Sequence, residues 1–293
     1  MMRLRPIAGA PFGVGISGID LATGMSDDLM RDLAETLYIH RVLVIRDQAL
    51  DKAQYMRFGR AFGTPIAHVL DHLRDAEFPG MMEVGNVRES QKDPNVRNGA
   101  AFWHTDQSYE AAPANLTMLY CIHAPARGGE TLVADQRGAA DALPAELRAK
   151  VEGRSALHFY GAASGRDGEQ VAARLRDAMQ QAKVPPVRHP ILRPHPVTGT
   201  RSLYAMAGTP LGIDGYGPEE GAALLTELKR HATAPERIYR HVHVPGSILI
   251  YDTNQTLHSG TPVEFATGDA DRRLLWRISI RDLPGALTTR FAA

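Results

Sequence analysis

Short runs of β-branched and aromatic residues, bounded by glycine or proline, are spread along the whole chain and constrain its fold more than any other feature. Such runs are typical of strands, and they are not separated by regular helices of about 10–15 residues, which a doubly wound parallel sheet would require. The pattern therefore favours a sandwich or barrel of short strands. Strands are predicted at 13–21, 42–45, 81–84, 116–122, 131–133, 202–204, 247–251 and 276–280.

Helices are predicted between groups of these strands. The first follows Ser26, a favourable N-cap residue, with two aspartates in its first turn and leucines at helical spacing behind them. Apolar residues at three-to-four spacing predict the others at 52–62, 138–152, 169–183 and 218–231. Because no repeat or linker divides the chain, we expect one domain over residues 1–293.

Charge and cysteine content exclude several classes of function. The 293 residues carry 33 Lys+Arg and 33 Asp+Glu, so the chain has no net charge that would favour nucleic acid or an acidic membrane surface. The single cysteine, Cys121, excludes an internal disulfide and a thiolate zinc site. There is no apolar run of about 18 residues and no signal-peptide core. We expect a cytoplasmic protein with a small-molecule partner, no nucleic-acid partner and no membrane association.

Metal-binding potential is concentrated in the sequence Trp103-His104-Thr105-Asp106. In extended chain His104 and Asp106 project to the same face, so one metal ion can contact both, although a hydrogen-bonded surface pair is the alternative. Two histidines and one carboxylate leave positions open on ferrous iron for a bidentate oxoacid and dioxygen. His258, which follows a predicted strand and a turn, is the histidine that we expect to reach this pair from a jelly-roll loop.

His241 and His243 compete with His258 for the role of further ligand. They are also two residues apart and precede Pro245-Gly246, an arrangement compatible with a cupin-like metal pair. No carboxylate accompanies them, however, so we interpret them as histidines on the face of a strand.

Two arginines and a glycine turn supply groups that recognise carboxylates. Arg273 and Arg277 are four apart on a predicted strand and point to the same side, so their guanidinium groups can share one cavity. One can anchor the remote acid of an oxoacid cosubstrate and the other an acidic substrate. Gly128-Gly129-Glu130-Thr131 predicts a tight turn followed by a hydroxyl able to donate to the same carboxylate. The alternatives are an arginine-rich strand edge and an ordinary hairpin.

Taken in order, these motifs resemble the taurine and 2,4-dichlorophenoxyacetate dioxygenases, the TauD/TfdA family of iron(II)- and 2-oxoglutarate-dependent enzymes. The resemblance runs from about residue 13 to about residue 280 and includes Gly18-Ile19-Asp20-Leu21 and His195-Pro196-Val197. It implies a mainly β fold with flanking helices, a double-stranded β-helix or jelly roll of the clavaminate synthase-like type. It also implies Fe(II), 2-oxoglutarate and O2 as cofactors, with release of succinate and CO2.

The resemblance assigns roles around the metal. It implies that His104, Asp106 and His258 hold the iron and act in catalysis. It implies that Thr131 and Arg273 bind the far carboxylate of 2-oxoglutarate.

The resemblance also assigns a substrate site, with Arg277 facing the substrate and Tyr109 and Tyr160 forming an aromatic wall. Because the equivalent arginine of the taurine enzyme binds an acidic group, we expect a small anionic substrate that is hydroxylated or oxidatively cleaved. Family members form dimers or tetramers, so a homo-oligomer is expected. The chain departs from the family in having Tyr251-Asp252-Thr253 where Trp-Asp-Asn is usual, and extra residues ahead of the arginines leave Arg272 as an alternative to Arg273.

Other functions stay open at this point. A cupin-like protein would bind a metal through His241, His243 and His258 without oxidising a substrate. A zinc hydrolase would use His104, Asp106 and His258 to activate water. Desaturases and epimerases of the same oxygenase chemistry use the same three ligands.

Overall fold

The computed structural model describes residues 2–69, 71–160 and 184–282. Strands dominate this part of the chain and fall into one large sheet and three small ones. Their bounds are β1 (Arg3–Pro6), β2 (Val14–Ser17), β3 (Val42–Ile45), β4 (Thr64–Pro65), β5 (Met81–Gly85), β6 (Leu116–His123), β7 (Thr131–Asp135), β8 (Ser155–His158), β9 (Val187–Pro190), β10 (Leu192–Pro194), β11 (Arg201–Leu203), β12 (Pro210–Ile213), β13 (Ile238–His241), β14 (Ile248–Asp252), β15 (Thr256–Gly260) and β16 (Leu274–Arg281).

The α-helices of the described residues are α1 (Asp27–His40), α2 (Lys52–Phe62), α3 (Pro94–Arg97), α4 (Gln136–Asp141), α5 (Ala145–Val151) and α6 (Pro218–Ala232). Short 3-10 helices span Asp71–Leu73, Glu89–Lys92, Pro235–Arg237 and Asp269–Asp271. As predicted, α1 begins after Ser26, whose side chain accepts a hydrogen bond from the N–H of Leu29. None of these helices is long and apolar enough to cross a membrane.

The helix predicted at 138–152 is wrong as a single element, because the structure has two helices, α4 and α5, with Pro144 between them. Proline cannot donate the backbone hydrogen bond that a continuous helix needs, and it disfavours helical conformation at the residue before it. The helix predicted at 169–183 lies outside the described residues.

The large sheet has the strand order β1-β2-β3-β14-β6-β16-β4, and β5 pairs with β16 beside β4. Its pairs are antiparallel except that of β2 with β3. β6 and β14 are neighbours in this sheet although they are far apart in the chain. The segment between them passes through the other sheets before it returns. This brings β16, with its arginines, next to β6.

Both faces of the large sheet are buried. Leu43 and Ile45 of β3 point to one side and share an apolar cluster with Phe58 of α2. Val42 and Val44 point to the other side, into a cluster that includes residues of β7 and β13. Because apolar neighbours lie on both sides, β3 is apolar at every position instead of alternating.

The second sheet has the order β13-β7-β15 and packs on the large sheet through the cluster shared by β7 and β13. The two facing sheets with helices outside confirm the prediction of a mainly β jelly roll. Strands β8, β10, β11 and β12 pack with α4, α5 and α6 around a separate apolar cluster. The single-domain assignment over 1–293 includes residues outside the described ranges and stays a prediction.

Candidate active site

His104 and His258 lie directly opposite each other on adjacent extended segments. The N–H of His104 donates to the carbonyl of His258 at 2.8 Å, and the N–H of His258 donates to the carbonyl of His104 at 2.9 Å. Residues paired in this way carry their side chains on the same face, and the two imidazole centroids are 4.1 Å apart. The prediction that His258 lies on a loop is wrong: it lies within β15, which pairs with β7 along its whole length.

Asp106 completes a group of three with these imidazoles. Its Oδ1 lies 3.7 Å from Nε2 of His104 and its Oδ2 lies 3.7 Å from Nε2 of His258. The three ligand atoms lie within 4.8 Å of one another, and no other group of three or more His, Cys, Asp or Glu residues in the described chain does so. Two donors about 2.1 Å from one ion are at most about 4.2 Å apart, so the carboxylate–imidazole distances fit a shared metal ion. Two imidazoles and a carboxylate are a donor set suited to ferrous iron.

Three polar residues in a row across the large sheet support Asp106. Tyr251 of β14, Thr117 of β6 and Ser279 of β16 are register partners. The hydroxyl of Thr117 donates to Oδ2 of Asp106 at 2.7 Å and lies 2.9 Å from the hydroxyl of Ser279, while the hydroxyl of Tyr251 lies 3.4 Å from Oδ2. Sequence reasoning missed this row, although Thr117 and Ser279 are polar residues inside apolar strand runs, which is a usable signal.

The electrostatics of the group favour metal binding. Burial opposes the charge on Asp106, but Arg277, His258 and His104 outweigh burial and hold the pKa of Asp106 well below its usual range. Burial, followed by the neighbouring His104, lowers the pKa of His258 to about 3. The Nδ1 of His104 donates to the carbonyl oxygen of Phe102 at 2.8 Å, and this bond holds the ring with its Nε2 on the side of Asp106. A carboxylate and neutral imidazoles are the forms in which these side chains bind metals.

A cationic and aromatic wall lies beside this carboxylate. The Nη2 of Arg277, which comes from β16, lies 2.7 Å from Oδ1 of Asp106. Tyr109 and Tyr160 pack edge to face with ring centroids 4.6 Å apart, and Val184 joins their apolar cluster. Burial raises the pKa of both phenols, to about 12 for Tyr160, and the charge of Arg277 opposes that shift. The structure therefore brings the three predicted substrate residues together.

Arg273 is buried just ahead of β16, with 7 % of its surface exposed. Its Nε donates to the carbonyl of Gly129 at 3.1 Å, and the nearby carboxylate of Glu130 is paired with Arg240 instead. Burial lowers the pKa of Arg273 to about 10, which leaves it charged at neutral pH. Arg272 is instead half-buried, and its Nη1 lies 3.5 Å from Oδ1 of the exposed Asp269. Of the two candidate anchors, only Arg273 points into the protein toward the glycine turn.

Thr131 lies at the start of β7, where its hydroxyl is 2.9 Å from Nε2 of His243. Burial, His241 and Arg273 all lower the pKa of His243, which places Arg273 close to this pair. His241 ends β13 and its Nδ1 lies 2.8 Å from the hydroxyl of Tyr239. Neither histidine belongs to the metal-binding group of the described residues, so the cupin-like ligand set is wrong.

Comparison with known proteins shows which proteins this chain is similar to. The profile described as "Taurine catabolism dioxygenase TauD, TfdA family" matches residues 3–279. The chain is 32% identical over 261 residues to the alpha-ketoglutarate-dependent 2,4-dichlorophenoxyacetate dioxygenase of Cupriavidus pinatubonensis, covering 85% of this chain and 88% of that protein. It is 28% identical over 262 residues to the alpha-ketoglutarate-dependent sulfate ester dioxygenase of Pseudomonas putida, covering 88% and 83%.

Solved structures give the same result. The crystal structure of AAD-2 in complex with Mn(II) and N-oxalylglycine superposes with a TM-score of 0.83 at 26% identity, covering 96% of this chain and 97% of that one. A crystal structure described as a putative alpha-ketoglutarate dependent 2,4-D dioxygenase from Burkholderia xenovorans superposes with a TM-score of 0.77 at 26% identity and covers 96% of each chain. The chain belongs to the TauD, TfdA family of dioxygenases, which confirms the resemblance seen in its motifs.

Proposed function

We propose that the protein is an Fe(II)- and 2-oxoglutarate-dependent dioxygenase that hydroxylates or oxidatively cleaves a small organic anion, with release of succinate and CO2. One observation carries the proposal: His104, Asp106 and His258 turn their ligand atoms toward a common point beside the guanidinium of Arg277. Family membership and relatives named as alpha-ketoglutarate-dependent dioxygenases support it.

Iron would be held by Nε2 of His104, Nε2 of His258 and the carboxylate of Asp106. Bound Fe(II), together with 2-oxoglutarate, supplies the activation of O2 that oxidises an unreactive C–H bond. The chain would supply three ligands, and the remaining coordination positions would be available to the cosubstrate and O2. The backbone bonds between the two histidines and the hydrogen bond from Thr117 keep that set in place.

Arg273 would bind the distal carboxylate of 2-oxoglutarate. A buried cation without an anion is unfavourable, and a carboxylate ligand would compensate its charge. Because Nε already donates to the carbonyl of Gly129, the terminal nitrogens of the guanidinium would be the donors to that carboxylate. Thr131 is the proposed second donor to the same carboxylate, with its hydroxyl oriented by His243.

Arg277 would bind the acidic group of the substrate, and Tyr109 and Tyr160 would pack on its apolar part. A guanidinium beside an aromatic and aliphatic wall suits an anion with an apolar body better than a fully polar one. Relatives named for 2,4-dichlorophenoxyacetate and for sulfate esters support an anionic substrate. A homo-oligomeric state and a cytoplasmic location stay predictions.

The experiment is a screen for succinate release under air, with Fe(II) and 2-oxoglutarate, across a panel of small acids. We expect one or more acids to raise succinate formation, and we expect the increase to need both Fe(II) and O2. Asp106→Ala should abolish it, whereas Asp269→Ala, at an exposed aspartate, should not. Metal binding without succinate release for any acid would contradict the oxygenase, and metal-dependent hydrolysis without O2 would indicate the zinc hydrolase instead. The mass of the product distinguishes hydroxylation from desaturation.

A further inference from the structure

A continuous chain of hydrogen bonds joins β8 to the turn that carries Asp106. The Nδ1 of His158, the last residue of β8, lies 2.8 Å from Oγ1 of Thr209, which lies 2.8 Å from Oγ of Ser108. Ser108 then donates to the carbonyl of Thr105 at 3.0 Å. His158 and Ser108 are fully buried and Thr209 is 9 % exposed, so these bonds are shielded from bulk solvent. The last acceptor in this series of hydrogen bonds is Thr105, the residue that immediately precedes the metal-binding Asp106.

The last bond of this chain determines where the protons lie. Ser108 uses its only hydroxyl proton on the carbonyl of Thr105, so the hydroxyl of Thr209 must donate to Ser108. Thr209 then accepts from His158, whose Nδ1 therefore carries the proton. In the described residues Nε2 of His158 has no hydrogen-bond partner, so the ring is oriented by the bond to Thr209 and by packing against His189 and Tyr204. All three bonds run in the same direction, and hydrogen bonds aligned in this way strengthen one another.

The two loops joined by these hydrogen bonds contain unfavourable backbone conformations and a close approach to a metal ligand. Gln107, which follows Asp106, and Ala205 both have φ of 50°, in the left-handed region that residues with a Cβ rarely adopt. Gly208, in the loop that carries Thr209, lies so close to His104 that a Cβ on it would be 2.9 Å from the Cβ of that histidine. Such conformations persist only where surrounding contacts hold them. The hydrogen-bond chain is a contact of this kind.

We propose that Thr209, together with Ser108 and His158, positions Asp106 for metal binding. Thr209 is a positioning residue, because it acts on the turn over 105–108 and not on the ion or the substrate. Without its hydroxyl, Ser108 and His158 each lose a buried partner and the turn relaxes from the conformation seen at residue 107. The carboxylate then spends less time where both imidazoles face it. This inference rests on the proposed function, since it assigns Asp106 to a metal.

The test compares Thr209→Val with Thr209→Ser. Valine keeps the shape of threonine without the hydroxyl, whereas serine keeps the hydroxyl. The measured quantity is the Kd for Mn(II), read from the EPR signal of the free ion during a titration, which requires no turnover. We expect Thr209→Val to raise this Kd about tenfold, the lower end of the effect of residues that orient metal ligands, and Thr209→Ser to stay within about twofold of wild type. Thr36→Val is the matched control, because Thr36 is 7 % exposed and its hydroxyl bonds within α1, so its Kd should not change.

Ser108→Ala breaks the same hydrogen-bond chain one residue further along, and it carries the test if Thr209→Val folds poorly, as judged by circular dichroism. Because both residues act through one chain, the double variant should bind Mn(II) no more weakly than the weaker single variant. A wild-type Kd in Thr209→Val, an equal loss in Thr209→Ser, or additive losses in the double variant would each overturn the proposal. Wild-type protein that binds Mn(II) but releases no succinate contradicts the oxygenase alone, whereas wild-type protein that binds no Mn(II) overturns both ideas.

Discussion

Replacing Gly129 with alanine should weaken 2-oxoglutarate binding by displacing Arg273. The φ of Gly129 is +70°, a conformation that costs an alanine about 1–2 kcal/mol. The new Cβ would also lie 2.8 Å from Cδ and 2.9 Å from Nε of Arg273, closer than side-chain atoms approach a Cβ in folded proteins. Arg273 must therefore shift, and its hydrogen bond to the Gly129 carbonyl is strained. A hydrogen bond to a charged group contributes about 1.5–3 kcal/mol, so losing one to the cosubstrate should weaken binding about 10- to 150-fold.

Gly199→Ala provides a matched control for this substitution. Gly199 has the same φ of +70°, but nothing lies within 4 Å of the position where its Cβ would be. Both variants should melt lower by about 2–4 °C for each kcal/mol of backbone strain. Calorimetric titration of 2-oxoglutarate into the Mn(II)-loaded proteins should show weaker binding only in Gly129→Ala. Equal 2-oxoglutarate affinity in two variants that melt at the same lowered temperature would refute the assignment of Arg273.

The remaining predictions concern the metal, the substrate and acid stability. Asp106→Ala should abolish both succinate release and tight Mn(II) binding, because it removes one of three ligands; unaltered turnover would remove Asp106 from the site. Arg277→Ala should raise the KM for substrate more than the KM for 2-oxoglutarate, and the opposite pattern would mean that the roles of the two arginines are exchanged. Burial, with His189 and Arg193, lowers the pKa of His158 to about 3, and burial, with Arg46, lowers that of His241 to about 4. Both histidines stay neutral in the folded state, whereas in the unfolded chain they become protonated below about pH 6.5. Their contribution to the free energy of unfolding is therefore complete above that pH and is lost as the pH falls. The free energy of unfolding should therefore drop by about 2 kcal/mol for each histidine between pH 7 and pH 5, and denaturant titrations that show no drop would contradict the burial argument.

Elements whose signals are complete within a short segment could be predicted from the sequence. The helix at 52–62 matches α2, because a capping box of Asp51 and Gln54 marks its start and an apolar face runs along it. The strand at 42–45 matches β3, because burial on both sides makes the run continuously apolar. In the same way, the spacing of His104 and Asp106 is visible in four consecutive residues.

Features created by long-range pairing could not be predicted in this way. The sequence of β15 has no β-branched run around His258, and it is a strand because β7 supplies its hydrogen bonds. The contacts among His158, Thr209 and Ser108 join three separate segments, so no local sequence pattern predicts them. Propensity describes what a segment prefers alone, whereas these features depend on which segments become neighbours.

The mutual amide bonds between His104 and His258 make the gap between the two imidazoles a property of the main chain. That gap follows the repeat of about 4.8 Å between neighbouring strands of any sheet. Insertions elsewhere lengthen the path from one histidine to the other without widening their separation. In a scaffold of this kind, the loops that select the substrate can change in length and sequence while the two imidazoles keep the same separation for the metal.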